Sequence, residues 1–327
     1  MSGLSMVTGG CGFLGRALVE RLVKKGRSVR VFDICCDREP VEAVEYVMGD
    51  LRDPADTDLA CDGVDTLYHL AAERFGTNGD LIRDVNIDGT ANLLESAALT
   101  GVKTLVFASS TAVYGTPPAE LPCPEMAPLV SSEPFSLSKI VGEEMCFSMR
   151  ERTGMKVTAI RPPTILGPGF GDEQVLKWIV DRALNNQPVF ILGGGRTRRH
   201  YVDVMDCADA LIAAADCAEA DGMSFNVGFD KAHTDEQFTK SALHAARSFS
   251  ISIPVPQTVI EIGLKAARAI GRNDLFPEAN ENIFVDSYYD TSSAKAVLGW
   301  RPEKTLPVTL YEFMRWYRRK LMRREMK

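Results

Sequence analysis

Between a short apolar run, Leu4–Val7, and an amphipathic segment, Phe13–Lys25, the chain reads Thr8-Gly9-Gly10-Cys11-Gly12-Phe13-Leu14-Gly15. Residues without a Cβ let the backbone turn sharply off a strand and approach a bound group closely. The helix N-terminus behind them favours negative charge. A glycine triplet alone is often a plain tight turn. Its place straight after a strand and before a helix predicts a β–turn–α unit that cradles a dinucleotide pyrophosphate. Asp33 lies 18 residues beyond Gly15, at the end of a second apolar run. A carboxylate there accepts hydrogen bonds from a ribose diol and repels a 2′-phosphate. No arginine follows it immediately, although Arg38 is near, so NAD is favoured over NADP. Asp50-Leu51, at the end of a third run, is placed to face an adenine.

The rest of the first half alternates strand and helix signals. Strands are expected at Ser28–Phe32, Val44–Val47, Asp65–Leu70, Lys103–Ala108 and Lys156–Ile160. Helices are expected at Phe13–Lys25, at Asp80–Thr100 as one long element closed by Gly101, and at Ser136–Arg152. Repeated βα units call for a doubly wound, Rossmann-type parallel sheet, an α/β fold. After Pro162-Pro163 the pattern changes. A helix at Glu173–Leu184, a strand at Val189–Leu192, a glycine turn, a helix at Asp206–Ala218 and a strand at Met223–Val227 follow, with a last helix from about Val308. We expect residues 1–166 to form the NAD-binding domain, with 199–227 returning to it. Residues 167–198 and 228–327 would form a smaller, mixed C-terminal substrate domain.

The chain has 327 residues, 45% of them hydrophobic, enough to bury a large core. A net charge of −7 argues against general nucleic-acid binding. The eight cysteines include no C-x-x-C pair, and adjacent Cys35 and Cys36 are awkward disulfide partners. Reduced packing cysteines, and with them a cytoplasmic location, are expected. No signal peptide and no membrane span are visible. The four histidines are scattered without metal-ligand spacing, so no metal is expected. Residues 315–327 hold seven basic residues and one acid. A solvated helix end explains them most simply; an anionic partner or membrane surface is the minority reading.

Further ordered motifs carry a resemblance. They are Gly49-Asp50-Leu51, His69-Leu70-Ala71-Ala72, Asn86-Ile87-Asp88-Gly89-Thr90, Ser109-Ser110-Thr111-Ala112-Val113-Tyr114-Gly115, Ser138-Lys139, Arg161-Pro162-Pro163, Arg199-His200-Tyr201-Val202-Asp203-Val204 and, near the end, Tyr289–Lys295 with Leu298-Gly299-Trp300. With the glycine loop and Asp33, these resemble the extended short-chain dehydrogenase/reductase superfamily over essentially the whole chain, especially its NAD-dependent epimerase/dehydratase and 3β-hydroxysteroid-dehydrogenase-like branches. The resemblance implies a cofactor site of Gly9, Gly12, Phe13, Leu14, Gly15, Asp33, Asp50, Leu51, Leu70, Ala71, Ala72, Asn86, Ser109, Lys139 and Pro162. Ser110 would hold a substrate hydroxyl or carbonyl. Lys139 would bond the nicotinamide ribose and lower the pKa of a tyrosine four residues earlier, which would move the proton.

That tyrosine is absent: position 135 is phenylalanine. Three readings compete. The tyrosine has been replaced deliberately to trap ligand without turnover, which is preferred because the change is conservative and Ser110, Lys139 and the glycine loop are intact. The phenylalanine is natural and Tyr114 or a water moves the proton. Or the chain only binds ligand. Tyr114 commonly lines the pocket in this family without being the base.

The substrate is narrowed by residue type. Dehydratases of nucleotide sugars need an Asp-Glu pair after the active-site Ser/Thr; here Thr111-Ala112 stands there, so dehydration is disfavoured. Arg199 could grip a nucleotide diphosphate, unless it belongs to a solvated loop. Thr111, Tyr114, Thr164 and Arg199 are the expected substrate contacts. Thr164 stands where many nucleotide-sugar epimerases carry asparagine, and no second phosphate-binding arginine occurs near 285–290. With the Ile253-Pro254-Val255-Pro256 segment and the apolar helix expected after it, these absences keep a hydrophobic-alcohol substrate in play. The preferred reading is an NAD-dependent epimerase of a nucleotide-diphosphate sugar, UDP-linked, acting through a transient keto-sugar as a homodimer. A 3β-hydroxysteroid-dehydrogenase-like oxidoreductase and a non-catalytic NAD/ligand-binding protein are the alternatives.

Overall fold

The computed structural model describes residues 3–36, 40–74, 78–131, 133–170, 174–260, 262 and 284–325. Arg38, Glu173 and most of the apolar segment after Pro256 lie outside them. Seven parallel strands form the central sheet in the order Met223–Asn226 (β11), Lys156–Arg161 (β6), Thr104–Ala108 (β5), Val64–His69 (β4), Leu4–Thr8 (β1), Val29–Asp33 (β2) and Val44–Met48 (β3). Both faces are covered, and the period of two along the inner strands sorts their side chains between two cores. Val7, Val106, Ala108 and Ile160 pack with α1 (Phe13–Lys24) and α7 (Val204–Asp216). Met6, Leu105, Phe107, Val157 and Ala159 pack with α2 (Pro54–Cys61), α4 (Gly89–Thr100) and α5 (Pro134–Thr153).

Local chemistry sets several boundaries. Asp53 caps α2 by accepting from the Ala55 N–H at 2.9 Å, with Pro54 at its first turn. Gly101 and Gly154 end α4 and α5 in the left-handed conformation, at φ 77° and 75°. The expected single helix over 80–100 is interrupted: a five-residue π turn, Asp84–Asp88, lies between α3 (Gly79–Arg83) and α4. A wider turn of this kind re-aims a side chain without ending the helix, and here it carries Asn86. At the following Gly89 a Cβ would lie 2.8 Å from the Leu51 Cβ, so α4 can run beside Leu51 only with glycine there.

The expectation that all cysteines are reduced is corrected. Cys11 and Cys36 are bonded, with Cα atoms 5.4 Å apart. The adjacency of Cys35 and Cys36 is no obstacle, because Cys36 packs against the α1/α7 core while Cys35 faces solvent.

A third core lies beyond β6. It joins Leu166, Phe170, Val180, Tyr201, Phe229, Phe238, Leu310 and Phe313 from α6 (Gln174–Leu184), α8 (Asp235–Ala245), the C-terminal helix Leu306–Glu325 and loops. Three two-stranded sheets edge it: β7 (Thr164–Leu166) with β10 (Tyr201–Asp203), β9 (Arg198–Arg199) with β12 (His233–Thr234), and β8 (Val189–Leu192) with β13 (Ser252–Val255). The Phe13 ring, at the start of α1, meets Phe170 edge-on at 5.5 Å and so joins this core to the glycine turn.

Gly142 in α5 leaves no room for a side chain, since a Cβ would lie 2.6 Å from Phe107 Cζ. Overpacking of about 1–3 kcal/mol should outweigh the ~1 kcal/mol that alanine adds to a helix. Gly142→Ala is therefore expected to lower the urea midpoint; a raised midpoint would show that the Phe107 ring can move aside.

Candidate active site

The carboxyl ends of the parallel strands meet at one edge. The strand order turns back at β1 and β4, which opens a crevice there. The glycine turn leaves β1, Asp33 ends β2, Leu70-Ala71-Ala72 leave β4, Ser109-Ser110 leave β5 and Pro162 follows β6. A Cβ on Gly15 would lie 2.1 Å from the Gly9 carbonyl oxygen, and one on Gly9, at φ 68°, would lie 2.9 Å from the Ala71 backbone. Both positions therefore require glycine. Gly12 is the N-cap of α1 and makes no side-chain cap, so the first N–H groups of the helix point outward. The Asp33 carboxylate accepts from the Cys11 N–H at 2.9 Å, which fixes it beside the turn.

A buried imidazole holds the turn from behind. The Thr8 hydroxyl oxygen accepts from the N–H groups of Leu70 and Ala71, both at 3.1 Å. With those donors in place its own proton goes to His69 Nδ1, 2.8 Å away. Thr90 donates to the Asn86 carbonyl at 2.7 Å, so it accepts from His69 Nε2, 2.9 Å away. The network thus assigns the Nε2–H tautomer. Burial first, and the Lys139 charge second, push the His69 pKa down to about 3.

Around Phe135, Lys139 is buried and donates to the Ala108 carbonyl at 2.8 Å. Its ammonium lies 4.8 Å from the Phe107 ring centroid and 5.9 Å from that of Phe135. Burial lowers its pKa to about 8. The Asn86 amide donates to Ser138 Oγ at 3.0 Å, and Ser138 donates to the Phe135 carbonyl at 2.7 Å. Asn86 also accepts from the Glu73 N–H and donates to the Glu73 carbonyl. Position 135 is thereby pinned to the loop after β4. Ser110 accepts from the Ala112 N–H at 3.1 Å and caps a short 3₁₀ turn, Thr111–Tyr114; Thr111 itself is buried. The Ser109 hydroxyl is buried without a partner among the described residues.

Other expected site residues are otherwise engaged. The Asp50 carboxylate is held by Arg52 and kept below its ordinary pKa by that bond. Leu51 is buried against Gly89. Tyr114 donates to Asn226 Oδ1 at 2.7 Å and accepts from Arg161 at 2.8 Å, and burial raises its pKa. Its proton is thus committed away from the crevice. Arg199 pairs with Asp235 at 3.1 Å, and Thr164 is exposed on β7, opposite Tyr201. Sequence reasoning assigned no role to the buried Arg161–Glu143 pair, joined at 2.8 and 2.5 Å. Its signal was present: Glu143 is one helical turn past Lys139, and Arg161 closes an apolar strand. The roles of His69 and Thr90 were missed as well, although both lie in the quoted motifs.

The profile of the NAD dependent epimerase/dehydratase family matches residues 5–228. The chain is a member of that family. It is 30% identical to a UDP-glucose 4-epimerase of Mycolicibacterium smegmatis, across 97% of this chain and 99% of the relative. It is 27% identical to a 3 beta-hydroxysteroid dehydrogenase/Delta 5→4-isomerase of Mycobacterium tuberculosis, across 96% and 90%. Among solved structures, a Thermus thermophilus UDP-glucose 4-epimerase in complex with NAD superposes with a TM-score of 0.79 at 25% identity, covering 96% of this chain and 99% of that one. NAD is the cofactor of this NAD-dependent family member, and the residues present fit it. The glycine cradle admits a pyrophosphate where any Cβ would intrude, the α1 N–H groups face it, and Asp33 stands where a ribose diol is read. The orphaned Ser109 hydroxyl supplies a further polar group at that edge.

Two predictions arise from the buried network. Unfolded histidine takes up a proton near pH 6.5, whereas folded His69 resists until about pH 3. Below pH 6.5 the unfolded state therefore binds more protons, and stability falls as pH falls. At pH 5 this amounts to about 2 kcal/mol, measurable by urea unfolding at pH 7 and 5; His69→Asn should flatten that slope, and an unchanged slope would reject the assignment. Glu143→Gln strips Arg161 of its counter-charge inside the fold and should cost roughly 3–5 kcal/mol in the same unfolding measurement.

Proposed function

We propose that this chain holds NAD together with a nucleotide-diphosphate sugar, UDP-linked, and that its chemistry is epimerisation through a keto-sugar, restrained by Phe135. The observation that carries the proposal is the environment of that ring. Lys139 stands beside it, Asn86 and Ser138 fix its backbone, and only the phenolic oxygen needed to take and return a proton is missing. Bound NAD would supply the hydride acceptor and donor. Gly9, Gly12, Phe13, Leu14 and Gly15 would cradle its pyrophosphate, Asp33 its adenosine ribose, and Leu70, Ala71, Ala72, Ser109 and Pro162 would line the crevice. Lys139 would leave the Ala108 carbonyl for the nicotinamide ribose, and Ser110 would orient the sugar hydroxyl. Residues 1–166 with 199–227 would form the cofactor domain and the remainder the sugar domain. Two copies would join through α4 and α5, whose shared groove is lined by Ala91, Leu94, Met145 and Ser148. A cytoplasmic location completes this reading.

One observation favours the second reading, an NAD-dependent oxidoreductase of a hydrophobic alcohol. The Arg199 guanidinium is already paired with Asp235, which weakens its grip on a diphosphate. The test separates the two. Phe135→Tyr and the unaltered chain are incubated with NAD⁺ and, separately, a panel of UDP- and GDP-sugars and a set of sterol-like alcohols, products being read by NMR and NADH by absorbance. Interconversion of a sugar pair at a rate 10²–10⁴-fold higher in the tyrosine form is expected, roughly the worth of general acid–base help. Equal rates would reject the role of position 135. Net NADH from a sterol-like alcohol, with no sugar turnover, would favour the second reading.

A further inference from the structure

The chain carries a net charge of −7, yet residues 315–327 hold seven cations and one acid. Among the described side chains, the C-terminal helix carries Arg315, Arg318, Arg319 and Lys320 to one end of the molecule, with Arg315 and Arg319 exposed. Its inner face is fixed by Leu310, Phe313 and Met314 in the third core. Arg318 donates to the Ala246 carbonyl, so the cationic end lies beside the turn that follows α8.

That turn displays an aromatic ring. Arg247 takes a left-handed φ of 50°, and Phe249 follows with 93% of its surface exposed. The ring is not on a loose loop, since the Phe249 N–H donates to Asn186 Oδ1 at 2.9 Å and Ser248 Oγ lies 3.2 Å from the same atom. The chain then enters β13, whose Ile253 and Val255 stand opposite Phe190 and Leu192 of β8. Residues in register share a face, so Phe190 and Leu192, 43% and 46% exposed, continue a surface begun by Ile251 at 62%. Arg182 lies over both the Phe190 and Trp178 rings, at 5.6 and 5.2 Å.

We propose that this end of the molecule is a docking surface for an anionic phospholipid bilayer. Single exposed apolar residues are ordinary, but a contiguous apolar strip bordered by cations is not. Aromatic and aliphatic side chains gain by entering the lipid interface, and arginine or lysine beside them gains from anionic headgroups. The aliphatic strip of β8 and β13 offers nothing to a nucleic-acid phosphate, which is why a bilayer is the better partner. With the rest of the chain acidic, the same field would turn this end toward such a membrane.

The test is co-sedimentation of the full chain, loaded with NAD, with vesicles of phosphatidylcholine alone or mixed with phosphatidylglycerol. Binding to the mixed vesicles only, weakened by salt, is expected. Phe249→Ser, and separately Arg315→Gln with Arg319→Gln, should each lower the partition coefficient by about tenfold or more. Circular dichroism and NAD affinity serve as checks on these surface variants and should not change. No binding to the mixed vesicles, or binding by the variants equal to that of the unaltered chain, would overturn the proposal. So would displacement from vesicles by a single-stranded RNA homopolymer whose own binding ignores Phe249→Ser.

Discussion

One hydroxyl, that of Thr8, sets the geometry of the cofactor edge. Parallel strands β1 and β4 stop pairing at Thr8 and His69, which would leave the N–H groups of Leu70 and Ala71 without ladder partners. Thr8 Oγ1 accepts both and donates its own O–H to His69 Nδ1. Bonding these two amides to the end of β1 draws the Ala71 backbone against the glycine turn. The approach is close enough that a side chain on Gly9 would strike it. The glycine pattern is therefore a consequence of how β4 is tied to β1, as well as a way of making room for a phosphate. A protonated His69 would aim a third N–H donor at Thr8 Oγ1, a conflict that adds to the burial and the Lys139 charge that keep the ring neutral.

The opposite wall is carried by one helix. Lys139, Gly142 and Glu143 lie within a single turn and a half of α5. The lysine reaches the crevice, the glycine lets the helix settle on the Phe107 ring, and the glutamate takes the Arg161 guanidinium. Arg161 in turn holds the Tyr114 hydroxyl and the Glu125 carbonyl. The stretch from β5 to the 3₁₀ turn, with Ser109, Ser110 and Thr111, is thus clamped between β6 and α5. A change at Glu143 would reach the site through this clamp rather than by touching a ligand.

The parts of this arrangement legible in the sequence are those written in local periodicity and short spacings. The alternation of strands and helices, the glycine turn, Asp33 and the closing glycine Gly101 can each be read within a window of a few residues. The π turn at Asp84–Asp88 could not. The glycine that follows it faces Leu51, 38 residues earlier in the chain, and no local signal separates the turn from an ordinary helix. The Cys11–Cys36 bond was misread for a related reason: neighbouring cysteines look equivalent in sequence, and only the packing of the β2 exit turns one inward. Arg199 and Asp50 show the same limit from the other side: each was assigned to a ligand from its motif position, and the charged partner that the fold gives it, Asp235 or Arg52, was not part of that reading. Tertiary pairing of charges over long separations is what sequence patterns record least.

Position 135 concentrates the remaining question in a single atom. Replacing a phenol by a benzene ring removes a proton carrier without disturbing the ring's volume, so it need cost the fold little. What is costly is retained: a fully desolvated lysine, its pKa pulled to about 8, with ring faces of Phe107 and Phe135 near it. Burying an ammonium brings a fold no stability by itself. In a site bearing a tyrosine, that charge would favour the phenolate. Here its hydrogen bond goes to the Ala108 carbonyl, an acceptor any strand end could offer. An unfavourable charge kept in place beside an inert ring is what the proposed contact of Lys139 with the nicotinamide ribose would account for, since those hydroxyls would give the ammonium polar partners that the ring cannot.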